Sequence, residues 1–367
     1  MAVSRFRVWF GGSPADGDRL ALIEEIRVDQ AIDMVTEARI TVPMAQDRAG
    51  DWPWVQDDAI TPLNQVRVEV QVGKGDFVPL IEGRVVAQRF EMGGGPNESR
   101  SVIVVNDESA MMNRTDRARL FEDMAPEDIA EQIFSEYGLT AETESSGVGA
   151  PSLERVVTQH GTDFGLLRRL AREANMVVNV EPGAEPGTSI GRFRFLPTAE
   201  SGLPELVLSG AERNLNKLTL ELDALSPVKA RGSSIDPADL SELEAAFETS
   251  ATATLGDTPA GDVVDPGEVF VESHGDGTEL DAQVQATVDR GAWAWSGQGE
   301  VSAEIYPGVL RPYQVVAVAG AGAVLGGFYL ISEVTHSLRD EAYTQAFTLR
   351  RNGVSAAGGL GPLGGVV

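Results

Sequence analysis

The chain has 367 residues, 42% of them hydrophobic, which is enough for two or three domains with their own cores. Its 56 acidic and 29 basic side chains give a formal net charge of −27, which repels a nucleic-acid backbone and is most simply a solubility property of the surface. The absence of cysteine excludes disulfides and thiolate metal sites. Since the sequence has neither an apolar run of about 18 residues nor a secretory leader, we expect no membrane-spanning helix and no signal peptide.

The N-terminal part of the chain predicts β-structure. Phe6, Val8 and Phe10 alternate with Arg7 and Trp9, which is the period of a half-buried strand. Further strands are predicted at residues 23–28, 38–42, 66–72, 80–90 and 101–105. Several short strands separated by turns are typical of a barrel or a sandwich.

The sequence changes character after Asp107. Residues 111–121 show little strand pattern, whereas residues 126–137 predict a helix with Pro126 in its first turn and Gly138 after its end. A polar stretch then leads to residues 155–182, which predict a strand, a helix and a second strand. We therefore expect a mixed α/β middle region.

The helix predicted within residues 155–182 is amphipathic. Either Thr162 or Asp163 supplies a side-chain oxygen to cap its first turn. The apolar positions recur at helical spacing, and Arg168, Arg169 and Arg172 fall largely on the opposite side. An ordinary packed helix accounts for every one of these residues.

A second β region begins near Leu206. Its strands are predicted at residues 218–222, 228–231, 301–305, 315–319, 328–334 and 343–349. Residues 233–267 are rich in Asp, Ala, Thr, Pro and Gly and predict an exposed excursion, partly helical at 237–247, which is followed by an Ala-rich helix at 280–295. The segment 353–367 is glycine-rich and apolar and does not pack alone, so it is either flexible or ordered by a partner.

No segment predicts an enzyme. The histidines His160, His274 and His336 are not at metal-ligand spacing, and no nucleophile-elbow motif occurs. The glycine pattern from Gly320 to Gly326 is followed by a strand rather than a helix, so it predicts a hairpin connection and not a dinucleotide-binding loop. We therefore predict no catalytic, cofactor-binding or metal-binding residues.

Four segments, in this order, carry a resemblance to a known family. They are the Gly83-Arg84-Val85 strand with Asp107, Ser109 and Arg114 after it; the helix 126–137 ending in Gly138-Leu139; Thr162-Asp163-Phe164 with Leu166-Leu167 and Leu170-Ala171; and the run from Gly326 to His336 closing with Tyr343, Phe347 and Arg350. Together they resemble the baseplate hub proteins of contractile tails, the phage late-control protein family, which is related to the hub portion of type VI secretion spikes.

The resemblance implies an α+β, mainly β fold for a structural protein. Two tube-like antiparallel β-barrel domains are expected, at residues 1–107 and at 205–352, the second with an exposed excursion around 233–295. A mixed α/β middle domain at 108–204 separates them, and a glycine-rich tail follows at 353–367. The family forms homotrimers, in which the six β domains make a pseudo-sixfold ring that adapts the hexameric tail tube to a trimeric spike.

The resemblance also implies partners and a place of assembly. The partners are the tail tube protein, other baseplate proteins and a separate trimeric spike protein, because no spike barrel follows within this sequence. DNA or protein cargo passes through the lumen without specific binding. Assembly takes place in the bacterial or archaeal cytoplasm, without a membrane anchor, and the product is the baseplate of a virion or of an injection particle. The tail supplies the candidate spike-docking residues Gly353, Leu360, Leu363, Val366 and Val367.

Two alternatives remain open at this point. One is a tail-tip or tube-initiator protein of a non-contractile tail, which belongs to the same structural class. The other is a tail-associated peptidoglycan hydrolase, which needs a cleft with catalytic carboxylates. No segment of the sequence marks such a cleft.

Overall fold

The computed structural model describes residues 4–95, 98–147, 156–236, 240–273, 277–339 and 342–355. Strands predominate over helices, as predicted. The elements of the first β region are β1 (Ser4–Phe10), β2 (Ser13–Pro14), α1 (Gly17–Ala21), β3 (Glu25–Ala31), β4 (Glu37–Pro43), β5 (Gln65–Val72), β6 (Val78–Glu91) and β7 (Arg100–Asp107), with 3-10 turns at Pro53–Gln56 and Asp58–Ile60.

The remaining elements form the middle and C-terminal regions. The middle region contains α2 (Ser109–Met112), β8 (Asp116–Glu122), α3 (Pro126–Glu136), β9 (Thr140–Thr143), β10 (Val156–Thr162), α4 (Asp163–Glu173), β11 (Met176–Pro182) and β12 (Ser189–Phe195). The second β region contains β13 (Leu206–Val207), β14 (Leu218–Leu222), β15 (Val228–Ile235), β16 (Glu242–Phe247), β17 (Thr258–Pro259), α5 (Ala260–Val263), β18 (Gly267–Glu272), α6 (Gly277–Gly291), β19 (Trp295–Ser302), β20 (Val315–Ala319), α7 (Gly322–Leu325), β21 (Gly327–Arg339), β22 (Ala342–Arg351) and β23 (Gly353–Val354).

Strands from both ends of the chain form one 13-stranded sheet. Its path is β14-β19-β22-β21-β3-β4-β7-β6-β5-β1-β2, and β20 joins on β21 with β13 beside it. The path does not return to its start, so the prediction of two closed barrels is wrong for the residues that the structure describes. The alternation of apolar residues specifies which face of a strand is buried, but it does not specify the neighbouring strand. Here the 13-residue β21 is long enough to pair with β20, β22 and β3.

Two hydrophobic cores lie on the same side of this sheet. One core includes Ile26 and Leu338, which face each other across β3 and β21. The other includes Val334 on β21 and Phe347 on β22. Because side chains alternate along a strand, the polar residues between these positions point to the opposite face.

The middle region has its own core between its helices and strands. Helices α3 and α4 confirm the two predicted helices, and Thr162 caps α4 by accepting a hydrogen bond from the backbone N–H of Gly165 at 3.1 Å. The sequence prediction missed strand β8. Most of its residues are polar or partly exposed, so apolar and polar residues do not alternate clearly along it. It pairs with β10, which lies far along the chain.

The excursion in the second β region is a small sheet covered by a helix. Its strand order is β16-β15-β18, and α6 packs on one face of it. Gly232 permits this close approach, since a Cβ there would lie 2.5 Å from a methyl group of Val284. The helix predicted at 237–247 is wrong in its described part, which forms β16: pairing with β15 overrides the helical preference of an Ala/Glu-rich segment.

The predicted connection at Gly320 is confirmed as a link between antiparallel strands. Strands β20 and β21 pair directly, and only the one-turn α7 lies between them. None of the helices in the described residues is long and apolar enough to cross a membrane.

Candidate assembly surface

The seam between the two β regions is built by β3 and β21. Seven residue pairs, from Glu25–Arg339 to Ala31–Glu333, join these strands. On the buried side, a ring nitrogen of His336 lies 2.8 Å from the hydroxyl of Tyr343 and the other lies 3.1 Å from the amide oxygen of Gln30. Burial, with positive Arg311 nearby, lowers the pKa of His336 to about 3, so this imidazole is neutral at physiological pH.

Gly83 and Asp107, two residues of the family resemblance, lie opposite each other on β6 and β7. A Cβ at Gly83 would lie 2.0 Å from the carbonyl oxygen of Asn106, so only glycine fits here. The buried Asp107 carboxylate accepts hydrogen bonds from the backbone N–H of Thr36 at 2.6 Å and of Ser109 at 2.9 Å. Burial raises the pKa of Asp107 to about 6, although these hydrogen bonds oppose the shift. Both residues therefore serve the fold: Gly83 lets β6 approach β7 closely, and Asp107 joins β7 to the residue before β4.

Along the seam, the sheet face opposite the two cores is polar. Across the seam, Thr335 donates a hydrogen bond to Asp29 at 2.6 Å, and Asp29 also pairs with Arg27. Further along, Arg339 pairs with Glu25 at 2.9 Å, and the Arg339 side chain is 67% exposed. At the seam, both β3 and β21 therefore present polar groups on this face.

In the part of the chain that the structure describes, the main path of the sheet ends in two edges, and a side branch ends at β13. Strand β14 forms one edge and pairs only with β19, while β1 and the two-residue β2 form the other. Strand edges carry backbone N–H and C=O groups that can pair with another polypeptide. The fold thus offers two edges for contact with other chains.

The middle region is attached to the first β region by a buried arginine on β5. The guanidinium of Arg67 pairs with Glu69 at 2.7 Å and with Glu82 at 3.0 Å, and it donates to the carbonyl of Ala184, in the turn between β11 and β12, at 3.2 Å. All three charged side chains are less than a tenth exposed. Sequence reasoning missed this cluster, because a strand that alternates valine with Arg67 and Glu69 predicts a solvated polar face.

The two histidines that the structure describes, His160 and His336, lie in different regions of the fold. His160 is exposed on β10, His336 is buried in the seam, and His274 lies outside the described residues. Among the residues that are described, no group of three or more His, Asp or Glu side chains is arranged to hold a metal ion.

The predicted spike-docking residues fall in two places. Gly353 is buried in β23 and pairs with Pro259 of β17. The other four lie outside the described residues and are Leu360, Leu363, Val366 and Val367. The adjacent Arg351 is fully buried, and no carboxylate among the described residues pairs with it. Its guanidinium donates to the carbonyls of Leu255 and Gly326, both at 3.1 Å, and to the hydroxyl of Ser355 at 2.6 Å.

Several solved tail proteins have a similar overall fold. A tail protein from Neisseria meningitidis gives a TM-score of 0.64 at 12% identity, over 96% of this chain and 98% of that one. The 43 kDa tail protein of prophage MuSo2 from Shewanella oneidensis gives 0.61 at 13% identity, over 95% and 98%. A component of the E. coli type VI secretion system, itself described as similar to T4 bacteriophage tail proteins, gives 0.54 at 12% identity, over 90% and 73%. The chain therefore has the fold of these tail and secretion proteins.

Comparison at the level of sequence assigns the chain to a family. No curated protein sequence matches it. One family model, described as the Alg8 N-terminal domain, matches residues 3–340, which span the first β region, the middle region and all but the end of the second β region. The chain belongs to the Alg8 N-terminal domain family.

Proposed function

We propose that the protein is the structural baseplate hub of a contractile injection machine, either a phage tail or an extracellular injection system, and that its role is not catalytic. The observation that carries the proposal is the joining of two β regions from opposite ends of the chain into one open sheet through β3 and β21. The similarity in fold to solved tail proteins supports a place in such a machine.

The two β regions suit an adaptor between sixfold and threefold symmetry. Three copies, each with two β regions, present six β units to a hexameric tail tube and three equivalent positions to a trimeric spike. The free edges at β14 and at β1 and β2 allow neighbouring copies to continue the sheet. In this proposal the homotrimer closes into a ring, which removes the exposed edges.

The polar sheet face is the surface that we propose for the lumen. It presents hydroxyl and paired charged groups such as Thr335, Arg27 and Asp29, which stay hydrated. The acidic chain as a whole repels polyanions, so DNA or protein cargo passes without specific binding. The ring is assembled in the bacterial or archaeal cytoplasm and contacts the tail tube protein and other baseplate proteins.

We propose that the segment beginning at Gly353 docks the separate spike protein. Arg351 and Gly353 anchor the base of this segment against the second β region. Leu360, Leu363, Val366 and Val367 supply the apolar groups that the spike would bury.

The test is the solution mass of the full chain by light scattering, alone and with the spike protein encoded beside it. We expect a mass three times the 39.1 kDa of one chain, and a three-to-three complex with the spike. The control is a chain truncated after Ser355, which we expect to form the trimer without binding the spike. A wild-type chain that stays monomeric in both conditions would overturn the hub proposal, and a truncated chain that still binds the spike would overturn the docking segment alone.

A further inference from the structure

An arginine-rich groove lies where the middle region, the small α6 sheet and the large sheet meet. Its volume is about 800 Å³. It is lined by five arginines, Arg168, Arg169 and Arg172 of α4, Arg290 of α6 and Arg350 of β22. The lining includes only two carboxylates, those of Asp33 and Glu173. The groove is thus positively charged in a chain whose net charge is −27.

Most of these arginines have no ion-pair partner at contact distance among the residues that the structure describes. Arg169 lies 3.6 Å from Glu173, and Arg290 donates to the backbone carbonyl of Arg172. Within the described residues, the guanidinium groups of Arg168, Arg172 and Arg350 make no hydrogen bond or ion pair at contact distance, and the one nearby carboxylate that attracts all three is that of Asp33. Guanidinium groups held side by side repel one another and favour a carboxylate-bearing ligand with matching forked geometry.

The chain carries a complementary acidic surface on the small sheet β16-β15-β18. Its exposed face presents five glutamates, Glu242, Glu244, Glu248, Glu268 and Glu272. Only two basic side chains share this face: Lys229 lies 3.9 Å from Glu248, and Arg231 lies 2.8 Å from Glu268. The excess of negative charge on this glutamate face matches the excess of positive charge in the groove.

The arginine-rich groove and the glutamate face lie on opposite sides of the small sheet. Helix α6 packs on one face of the small sheet, and Gln283, Thr287 and Arg290 of α6 line the groove. The glutamates alternate with the core residues Leu243, Ala245 and Val271, so they stand on the other face of the same sheet. Two different, complementary patches on opposite sides of one subunit are what a head-to-tail ring contact requires.

We infer that the arginine-lined groove of one copy receives the glutamate face of the next copy. This inference rests on the ring assembly of the proposed function. It names a second contact between neighbouring subunits, in addition to the pairing of their sheet edges. A polypeptide fits better than nucleic acid, because the acidic surface around the groove repels an extended polyanion but leaves room for a few local carboxylates.

The test is the mass of the full chain carrying Arg168→Glu and Arg172→Glu. Both side chains are exposed on α4, so the fold should tolerate the change. We expect the mass to fall from the multimer to a single chain of 39.1 kDa at equal protein concentration. Adding Glu242→Arg and Glu244→Arg to the same chain reverses the charge of both surfaces and should restore the multimer.

The matched control carries Arg48→Glu and Arg213→Glu. These exposed arginines are not part of the groove lining, and the net charge changes by the same amount. This control should assemble like the wild type. Groove variants that also assemble like the wild type would overturn the contact while leaving the hub proposal intact, whereas a monomeric wild type would count against both. A chain with all four substitutions that stays monomeric would also overturn the assignment of the glutamate face. So would a DNA oligonucleotide that binds the wild type but not the Arg168→Glu, Arg172→Glu variant.

Discussion

At the scale of single residues, buried charge connects parts of the chain that lie far apart in the sequence. Arg67 joins two glutamates of the first β region to a turn more than a hundred residues away in the middle region. Burial raises the pKa of Glu82 even though the neighbouring Arg67 guanidinium acts to lower it. Burying three charges is costly, so the cluster contributes specificity of docking more than stability.

We predict that Arg67→Met strongly destabilises the protein, because it leaves Glu69 and Glu82 buried without a cation. The expected loss in free energy of unfolding is about 3–5 kcal/mol, measured by denaturant titration. The control is Arg39→Met, which removes an exposed arginine paired with Glu37 and should cost less than about 1 kcal/mol. Equal losses in the two variants would show that the Arg67 cluster is not sealed from water.

The neutral His336 predicts a pH dependence of stability. An unfolded histidine has a pKa of about 6.5, whereas in the folded protein the pKa of His336 lies near 3. Between these values only the unfolded chain binds the proton, so the free energy of unfolding falls as the pH falls, by up to about 1.4 kcal/mol per unit.

The measurement compares the wild type with His336→Gln. We expect the wild type to be the more stable at pH 7, with an advantage that shrinks by about 1–2 kcal/mol on going to pH 5. Asp107, whose pKa is shifted upwards, responds in the opposite sense but is present in both proteins and cancels in the difference. The range from pH 7 to 8 is the control, where the advantage should stay constant. A constant advantage down to pH 5 would contradict the prediction.

At the scale of elements, helices α3 and α4 follow local rules, whereas strands β8 and β16 do not. Helix α4 begins where its cap predicts, and α3 ends at the cap residue Tyr137 just before Gly138, which adopts a positive φ of 71°. Strands β8 and β16 have no comparable local signal, because each exists only through its partner. Strand formation depends on the neighbour that supplies the other half of the hydrogen bonds.

We predict that Thr162→Ala weakens α4 by removing the oxygen that accepts from the N–H of Gly165. The expected loss in free energy of unfolding is about 1 kcal/mol. Thr162→Ser keeps the hydroxyl and should lose no more than a few tenths of this, which makes it the matched control in the same titration. If serine and alanine cost the same, the cap contributes through its methyl group rather than through its hydrogen bond.

At the scale of the whole molecule, the shared sheet makes the two β regions one mechanical body. Their cores lie on the same face, and the β3–β21 seam leaves no gap between them. A rigid body of this kind suits the proposed hub, which would join a tube to a spike.

We therefore predict that the two β regions unfold together. Phe347→Ala, in the core of the second region, should lower the free energy of unfolding by about 3–5 kcal/mol. In calorimetry, we expect a single thermal transition, in which both regions unfold, to shift to lower temperature. The control is Ile26→Val in the first core, a milder change that should move the same transition by a smaller amount. Two transitions, of which only one responds to each substitution, would show that the seam does not couple the regions.

The sequence by itself determined the charge, the lack of thiol chemistry, the mainly β character and the two capped helices, because composition, periodicity and capping act over a few residues. It also placed Arg168, Arg169 and Arg172 on the outer face of a helix, without showing that two more arginines join them. Only the tertiary structure decided that the two β regions share one open sheet, and that His336 contacts Gln30 across 306 positions of the chain. Such contacts depend on which strands meet, and strand pairing between distant segments leaves no local pattern in the sequence.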